Sequence, residues 1–178
     1  MFKKHHPLHI YENEMIYFIT ARTTKKEKLF NTSEKKKILY QELKKFLEKY
    51  CYQLYAWVIL DNHYHLLFKT KIGKNLEYFI SDLHSASSKN LNKLDNQKGR
   101  NVWYQYWDYC PRNEKDFYQH FNYIHHNPVK HGYVKTQEEV LKNQFCSYRR
   151  WVDKKGEEWM GDCFATYPII DFTVEGDE

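Results

Sequence analysis

Cysteine is scarce in this chain and poorly placed for bridging. Four occur in 178 residues (Cys51, Cys110, Cys146, Cys163), widely scattered and with no C-x-x-C pair. Such spacing argues against a zinc ribbon, supplies no disulfide framework and fits a reducing cytoplasm. No apolar run approaches the length of a membrane span. The charged start, Met-Phe-Lys-Lys-His-His-Pro, is followed by no apolar stretch, so a secretory signal is not expected. With six glycines and four prolines there is no low-complexity linker, and no internal repeat is visible. One domain with a real hydrophobic core is the natural expectation.

Aromatic residues, by contrast, are abundant. They form 18% of the chain, with 16 Tyr and 11 Phe, beside a formal net charge of +5. Rings interleaved with lysines suit stacking on unpaired bases next to phosphate contacts. An aromatic-rich core beneath a solvated basic surface has the same composition, so composition alone does not choose.

Hydrophobic periodicity orders the elements. Residues Met15 to Thr24 read as a strand. Asn31 then stands three residues before Glu34, the capping-box spacing, ahead of a helix with Leu39, Leu43, Phe46, Leu47 and Tyr50 on one stripe. Tyr52 to Leu60 and His63 to Thr70 form a strand pair about an Asp61-Asn62 turn. A second helix after Gly73 buries Leu76, Phe79, Ile80, Leu83 and Leu94, and Val102 to Tyr109 is a fourth strand. Asn113, with Asp116 three residues on, caps a third helix. Gln137 to Asn143 carries a weak helical signal, and the chain beyond Phe145 reads as largely irregular. The order β-α-β-β-α-β defines an α+β, ferredoxin-like antiparallel sheet with helices on one face and an additional helix.

Within this frame, His63 and His65 flank Tyr64 in a strand, where residues i and i+2 share a face. Two neutral imidazoles so placed can converge on one ion, although a surface histidine pair has the same spacing. On the third helix Phe117, Phe121 and Ile124 form the buried stripe, and Tyr123 falls about a quarter turn off it, beside Gln119 and Asn127. Asn127 precedes Pro128, which disfavours continuing the helix. Asn127 is therefore either the cap of a new short turn or an oxygen ligand one turn from Tyr123. His125 and His126 lie off the shared face and are not expected to be ligands.

The stretch Ala56-Trp57-Val58-Ile59-Leu60-Asp61-Asn62-His63-Tyr64-His65-Leu66-Leu67 resembles the HUH segment of the single-tyrosine transposases. Tyr123-Ile124-His125-His126-Asn127-Pro128-Val129-Lys130-His131-Gly132-Tyr133-Val134 resembles their catalytic segment, in the form seen in REP-associated tyrosine transposases. Phe18 to Thr23, Val102 to Asp108 and Phe145 to Arg149 extend the similarity to about Trp151. The turn before the histidines reads Leu-Asp-Asn where a proline is common, and the chain past Trp151 follows no pattern of the family.

The resemblance implies a catalytic domain over residues 1–151 and a tail of open role over 152–178. It implies Tyr123 as nucleophile and His63, His65 and Asn127 as ligands of a divalent ion, Mg²⁺ or Mn²⁺. It also implies a 5′-phosphotyrosine intermediate and single-stranded or hairpin DNA as substrate. Such an ion neutralises a phosphate oxygen, and nearby positive charge, from the ion or Lys130, favours a phenolate. Lys3, Lys4, Lys25, Lys26, Lys130, Arg149 and Arg150 are candidate DNA contacts. Two other readings keep the fold and drop the reaction: an RRM-like single-strand-binding module, and a domesticated, inactive transposase. Monomer and homodimer are both open.

Overall fold

A computed structural model describes residues 11–172; Lys3 and Lys4 lie outside the described residues. Four strands, β1 (Ile16–Thr23), β2 (Gln53–Ile59), β3 (His63–Lys69) and β4 (Trp103–Tyr109), form one antiparallel sheet in the order β2-β3-β1-β4. Helices α1 (Ser33–Lys49) and α2 (Leu76–Leu94) cover one face, and α3 (Glu114–Lys130) covers part of the other. Strand alternation divides the core accordingly. Tyr17, Ile19, Ala21, Tyr64, Leu66 and Phe68 pack towards α1 and α2, while Phe18, Leu67, Ala56 and Val58 pack towards α3. This is the βαββαβ arrangement with its extra helix.

Some boundaries differ from the sequence expectation. Thr32, not Asn31, caps α1, accepting a hydrogen bond from the Lys35 N–H at 3.3 Å. Phe30 is buried against Trp103 and its N–H bonds the Asp61 carbonyl, which brings the chain into the helix one residue late. On α2 the buried residue of the last turn is Leu91, and Leu94 is exposed. The Gln137 to Asn143 signal corresponds to a short 3-10 helix, Glu138–Lys142.

The segment beyond Phe145 is not irregular. It forms α4 (Tyr148–Lys155) and α5 (Glu157–Thr166), turned about Gly156 at φ +94°. Helices this short are marginal alone and are held by packing. Trp151, Trp159, Met160 and Phe164 join the cluster on the α3 side, and the Trp151 indole N–H donates to the Tyr55 carbonyl at 2.6 Å. Asn122 of α3 donates from Nδ2 to the carbonyls of Cys163 and Tyr167, both at 2.8 Å. The catalytic-segment helix thus lies between the sheet and this C-terminal pair.

Pro128 does not stop α3. The helix runs through it for two more residues and ends at Lys130. Its end is a Schellman motif: Tyr133 N–H bonds the Pro128 carbonyl, Gly132 N–H bonds that of Val129, and Gly132 takes φ +69°. The Tyr133 hydroxyl then accepts from the Asp61 N–H at 3.1 Å, tying the helix end to the β2–β3 turn. Asn127 is therefore a helical residue and caps no new turn.

Candidate active site

The pairing of β1 with β3 sets Thr20 opposite His65 and Arg22 opposite His63, all four on the α3 face. Both histidines are held by their Nδ1 atoms. His63 Nδ1 lies 2.8 Å from Asn62 Oδ1, and His65 Nδ1 lies 2.7 Å from Thr20 Oγ1. When each Nδ1–H donates to its oxygen, the Nε2 lone pair is left for the pocket. Asn62 also donates from Nδ2 to the Lys26 carbonyl, so one side chain orients His63 and clamps the turn after β1. That turn carries two consecutive residues with positive φ, Lys25 at 54° and Lys26 at 57°. Non-glycine residues hold that conformation only where neighbours enforce it.

From above, α3 contributes Tyr123 and Asn127, both buried. The Tyr123 ring stands edge-on to His65 at 5.3 Å between centroids. Asn127 donates from Nδ2 to the Tyr123 carbonyl at 3.0 Å, which orients its amide and turns Oδ1 away from the helix backbone. Asn127 lies close enough to both imidazoles to favour their protonated forms. Other effects outweigh that one. Burial first, then the proximity of a second imidazole, His131, pushes the His63 pKa down to about 3, and burial holds His65 well below the usual histidine value. Both rings are neutral at pH 7, as ligands must be.

Two atoms here are buried without a hydrogen-bond partner among the described residues, His65 Nε2 and Asn127 Oδ1. An orphaned nitrogen and an orphaned carbonyl oxygen beside a second imidazole fit a divalent cation. The set is incomplete by itself: no three His, Cys, Asp or Glu side chains among the described residues form a cation cage. An ion held here would complete its shell with oxygens from water or substrate, as Mg²⁺ and Mn²⁺ accept. The pocket between Thr20, His63, His65, Tyr123, His131 and Phe172 has about 30 Å³ of free space, enough for an ion with a water or a phosphate oxygen.

Among the pocket residues not singled out from sequence are His131, Thr20 and Phe172. His131 caps the end of α3 with its ring 4.8 Å from that of His63. Thr20 is an ordinary strand threonine whose role depends on register. Phe172 comes from the C-terminal segment, stacks on His120 at 3.8 Å and meets Tyr123 edge-on at 5.4 Å. Beside it Asp171 pairs with Lys130 at 2.6 Å, and Lys130 Nζ also lies 3.4 Å from the Tyr123 hydroxyl. Burial would lower the Lys130 pKa, but hydrogen bonds to Asp171 and Tyr123 outweigh it, so the ammonium is retained. His125 bonds Ser147 Oγ at 2.7 Å and His126 faces Gln137, so both are engaged elsewhere.

Of the other candidate DNA contacts, Lys26 borders the pocket and Lys25 the groove beside it. Arg149 and Arg150 do not join them. They line a separate groove with Tyr40, Trp57 and Lys142, and Arg149 pairs with Asp153 on its own helix.

The described residues thus form an antiparallel βαββαβ sheet carrying a histidine pair beneath a helical tyrosine. The family described as "Transposase IS200 like" matches residues 11–127. A Haemophilus influenzae protein named as a REP-associated tyrosine transposase is 32% identical over 132 residues, 67% of this chain and 73% of that protein. The REP-associated tyrosine transposase of Escherichia coli K12 is 30% identical over 115 residues, 62% of this chain and 64% of its own length. The fold matches a solved REP-associated tyrosine transposase bound to a REP hairpin, with a TM-score of 0.70 at 22% identity, covering 96% of this chain and 94% of that one. The chain belongs to the IS200-like transposase family, on its REP-associated tyrosine transposase branch. No helix among the described residues is long and apolar enough to cross a membrane.

Proposed function

We propose that this protein cuts and rejoins single-stranded DNA beside a hairpin, using Tyr123 as the nucleophile. The observation that carries the reading is the placement of the Tyr123 ring 5.3 Å from His65, with Lys130 Nζ 3.4 Å from its hydroxyl. In the cleavage step Tyr123 gives up its proton and its oxygen bonds to phosphorus. The bond from phosphorus to the 3′-oxygen breaks, and that oxygen takes up a proton. The aryl phosphate keeps the bond energy, so a 3′-hydroxyl can reverse the step and rejoin DNA without ATP. Lys130 stabilises negative charge on the tyrosine oxygen and holds the ring in line. His63, His65 and Asn127 would hold the divalent ion, Mg²⁺ or Mn²⁺, which when bound neutralises a non-bridging phosphate oxygen.

The hairpin as substrate class follows from the branch of the family and from the solved relative's hairpin complex. Lys25, Lys26 and Lys130 are proposed phosphate contacts at the site, and Arg149 and Arg150 at the separate groove. Residues 1–151 are taken as the catalytic unit and 152–178 as a C-terminal extension; α4 and α5 pack against α3. Family membership favours this reading over that of an RNA-binding module.

The test is a labelled hairpin with an unpaired flank, incubated with Mn²⁺ and run on a denaturing gel. The parent is expected to form a covalent adduct and Tyr123→Phe none, while the variant binds the hairpin within about twofold of the parent because almost no volume changes. Tyr118→Phe is the matching control, since Tyr118 stacks on Tyr167 away from the pocket. An adduct that maps to another tyrosine, or that survives in Tyr123→Phe, overturns the assignment.

A further inference from the structure

Among the described residues, the α3 face of the sheet is only part-covered. Helix α3 lies over β2 and β3, and the β1–β4 half carries an aromatic and cationic group of its own. Along β4 the register with β1 shifts between Arg22 and Thr23: Thr23 opposes Trp103 and Arg22 opposes Gln105, so Tyr104 is the extra, bulged residue. A bulge re-aims a side chain. Here it turns Tyr104, which regular alternation would set apart, to the side of Arg22. The Arg22 guanidinium lies 4.9 Å from the Tyr104 ring centroid and 5.3 Å from that of Trp107.

Packing does not account for this arrangement. Tyr104 is 49% exposed, an unusual state for a tyrosine delivered by a strand irregularity. The group also adjoins the candidate active site. Arg22 and Lys26 border both the histidine–tyrosine pocket and the neighbouring groove formed with Thr24, Lys25 and Tyr104. Trp107 is the β4 partner of Thr20, the residue that holds His65. Two strand spacings, about 10 Å, separate β4 from the histidine strand. Rings edged by arginine and lysine are the surface that stacks an unpaired base while neutralising its phosphate.

We infer that Tyr104, with Arg22 and Trp107, is the stacking subsite for an unpaired DNA base next to the phosphate held at the His63–His65–Tyr123 pocket. The inference rests on the DNA-cleaving reading above and adds the group that grips the single-stranded flank. Lys25 and Lys26, on their strained turn, face the phosphate of that nucleotide.

The probe is one hairpin in two forms, blunt and with a single-stranded flank, and 2-aminopurine replaces a flank base in a third sample. Binding is measured by fluorescence anisotropy without divalent ion, so no cleavage is needed. Tyr104→Ala is expected to weaken binding of the flanked form about five- to 150-fold, the contribution of one base–aromatic stack. Binding of the blunt form should stay unchanged. The parent should quench 2-aminopurine at one flank position and the variant should not. Tyr104→Phe keeps the ring and should match the parent, as should Tyr78→Ala, an exposed tyrosine (67%) on α2. Parent-like binding of the flanked hairpin by Tyr104→Ala overturns the inference, and so does an equal loss for both forms. Failure of the parent to form an adduct would overturn the cleavage reading and leave this binding result standing.

Discussion

Replacing Thr20 by valine keeps the shape of a buried strand side chain and removes one oxygen. That oxygen is the partner of His65 Nδ1 at 2.7 Å, in a place where Thr20 is 7% and His65 3% exposed. Water cannot readily replace it, so the variant leaves a buried ring nitrogen unsatisfied at a cost of about 1–3 kcal/mol. For a chain of this size that lowers Tm by roughly 2–12 °C. The second effect is on ligation. Without its acceptor the His65 imidazole loses the bond that turns Nε2 towards the pocket, and losing such a support lowers metal affinity about 10- to 100-fold. Isothermal titration of the metal-free protein with Mn²⁺, with a thermal melt, measures both. Thr20→Ser restores the oxygen and should recover most of the affinity. Parent-like Mn²⁺ affinity in Thr20→Val would refute the reasoning, because His65 would then need no orienting partner.

Three further outcomes follow from other parts of the molecule. Phe172→Ala uncovers the edge of Tyr123 and should speed adduct formation on the hairpin gel without weakening the fold; an unchanged or slower rate would show that the ring does not cover the nucleophile. Gly132→Ala places a side chain at φ +69° with open space around it, so the cost is backbone strain alone, about 1 kcal/mol, read as a Tm lower by roughly 2–4 °C. Burial pushes the His84 pKa down to about 3, so the unfolded chain binds a proton that the folded one refuses. Stability is then full above about pH 6.5 and is lost as pH falls towards 3, by up to about 1.4 kcal/mol per pH unit from this residue. Urea midpoints at a series of pH values should show His84→Gln falling less steeply than the parent.

Much of the fold was legible because period and burial agree along the sheet. The His63–His65 spacing fixes their common face, and the Asn113–Asp116 cap at 2.9 Å formed where the residue types placed it. Thr20 was invisible because its role depends on which residue of β3 lies across from it, a long-range fact with no local mark. Pro128 misled because only two helical residues follow it, so its missing N–H forfeits a single backbone hydrogen bond near the helix end. The C-terminal helices did leave a trace: Trp159, Met160, Cys163 and Phe164 sit at helical spacing. Their shortness hid it, since ten residues offer too few turns for a period to stand out.

Four residues, Cys110 to Asn113, join β4 to α3, and even fully extended they span at most about 14 Å. The far end of the helix is tied by Tyr133 to the turn that precedes His63. Fastened at both ends, the tyrosine helix cannot trade places with that of another molecule unless both ties open. If both ties hold in solution, output per copy is expected not to change on dilution. A mixture of His63→Ala and Tyr123→Phe proteins should be as inert as either one alone, because neither defective copy can lend its sound half to the other.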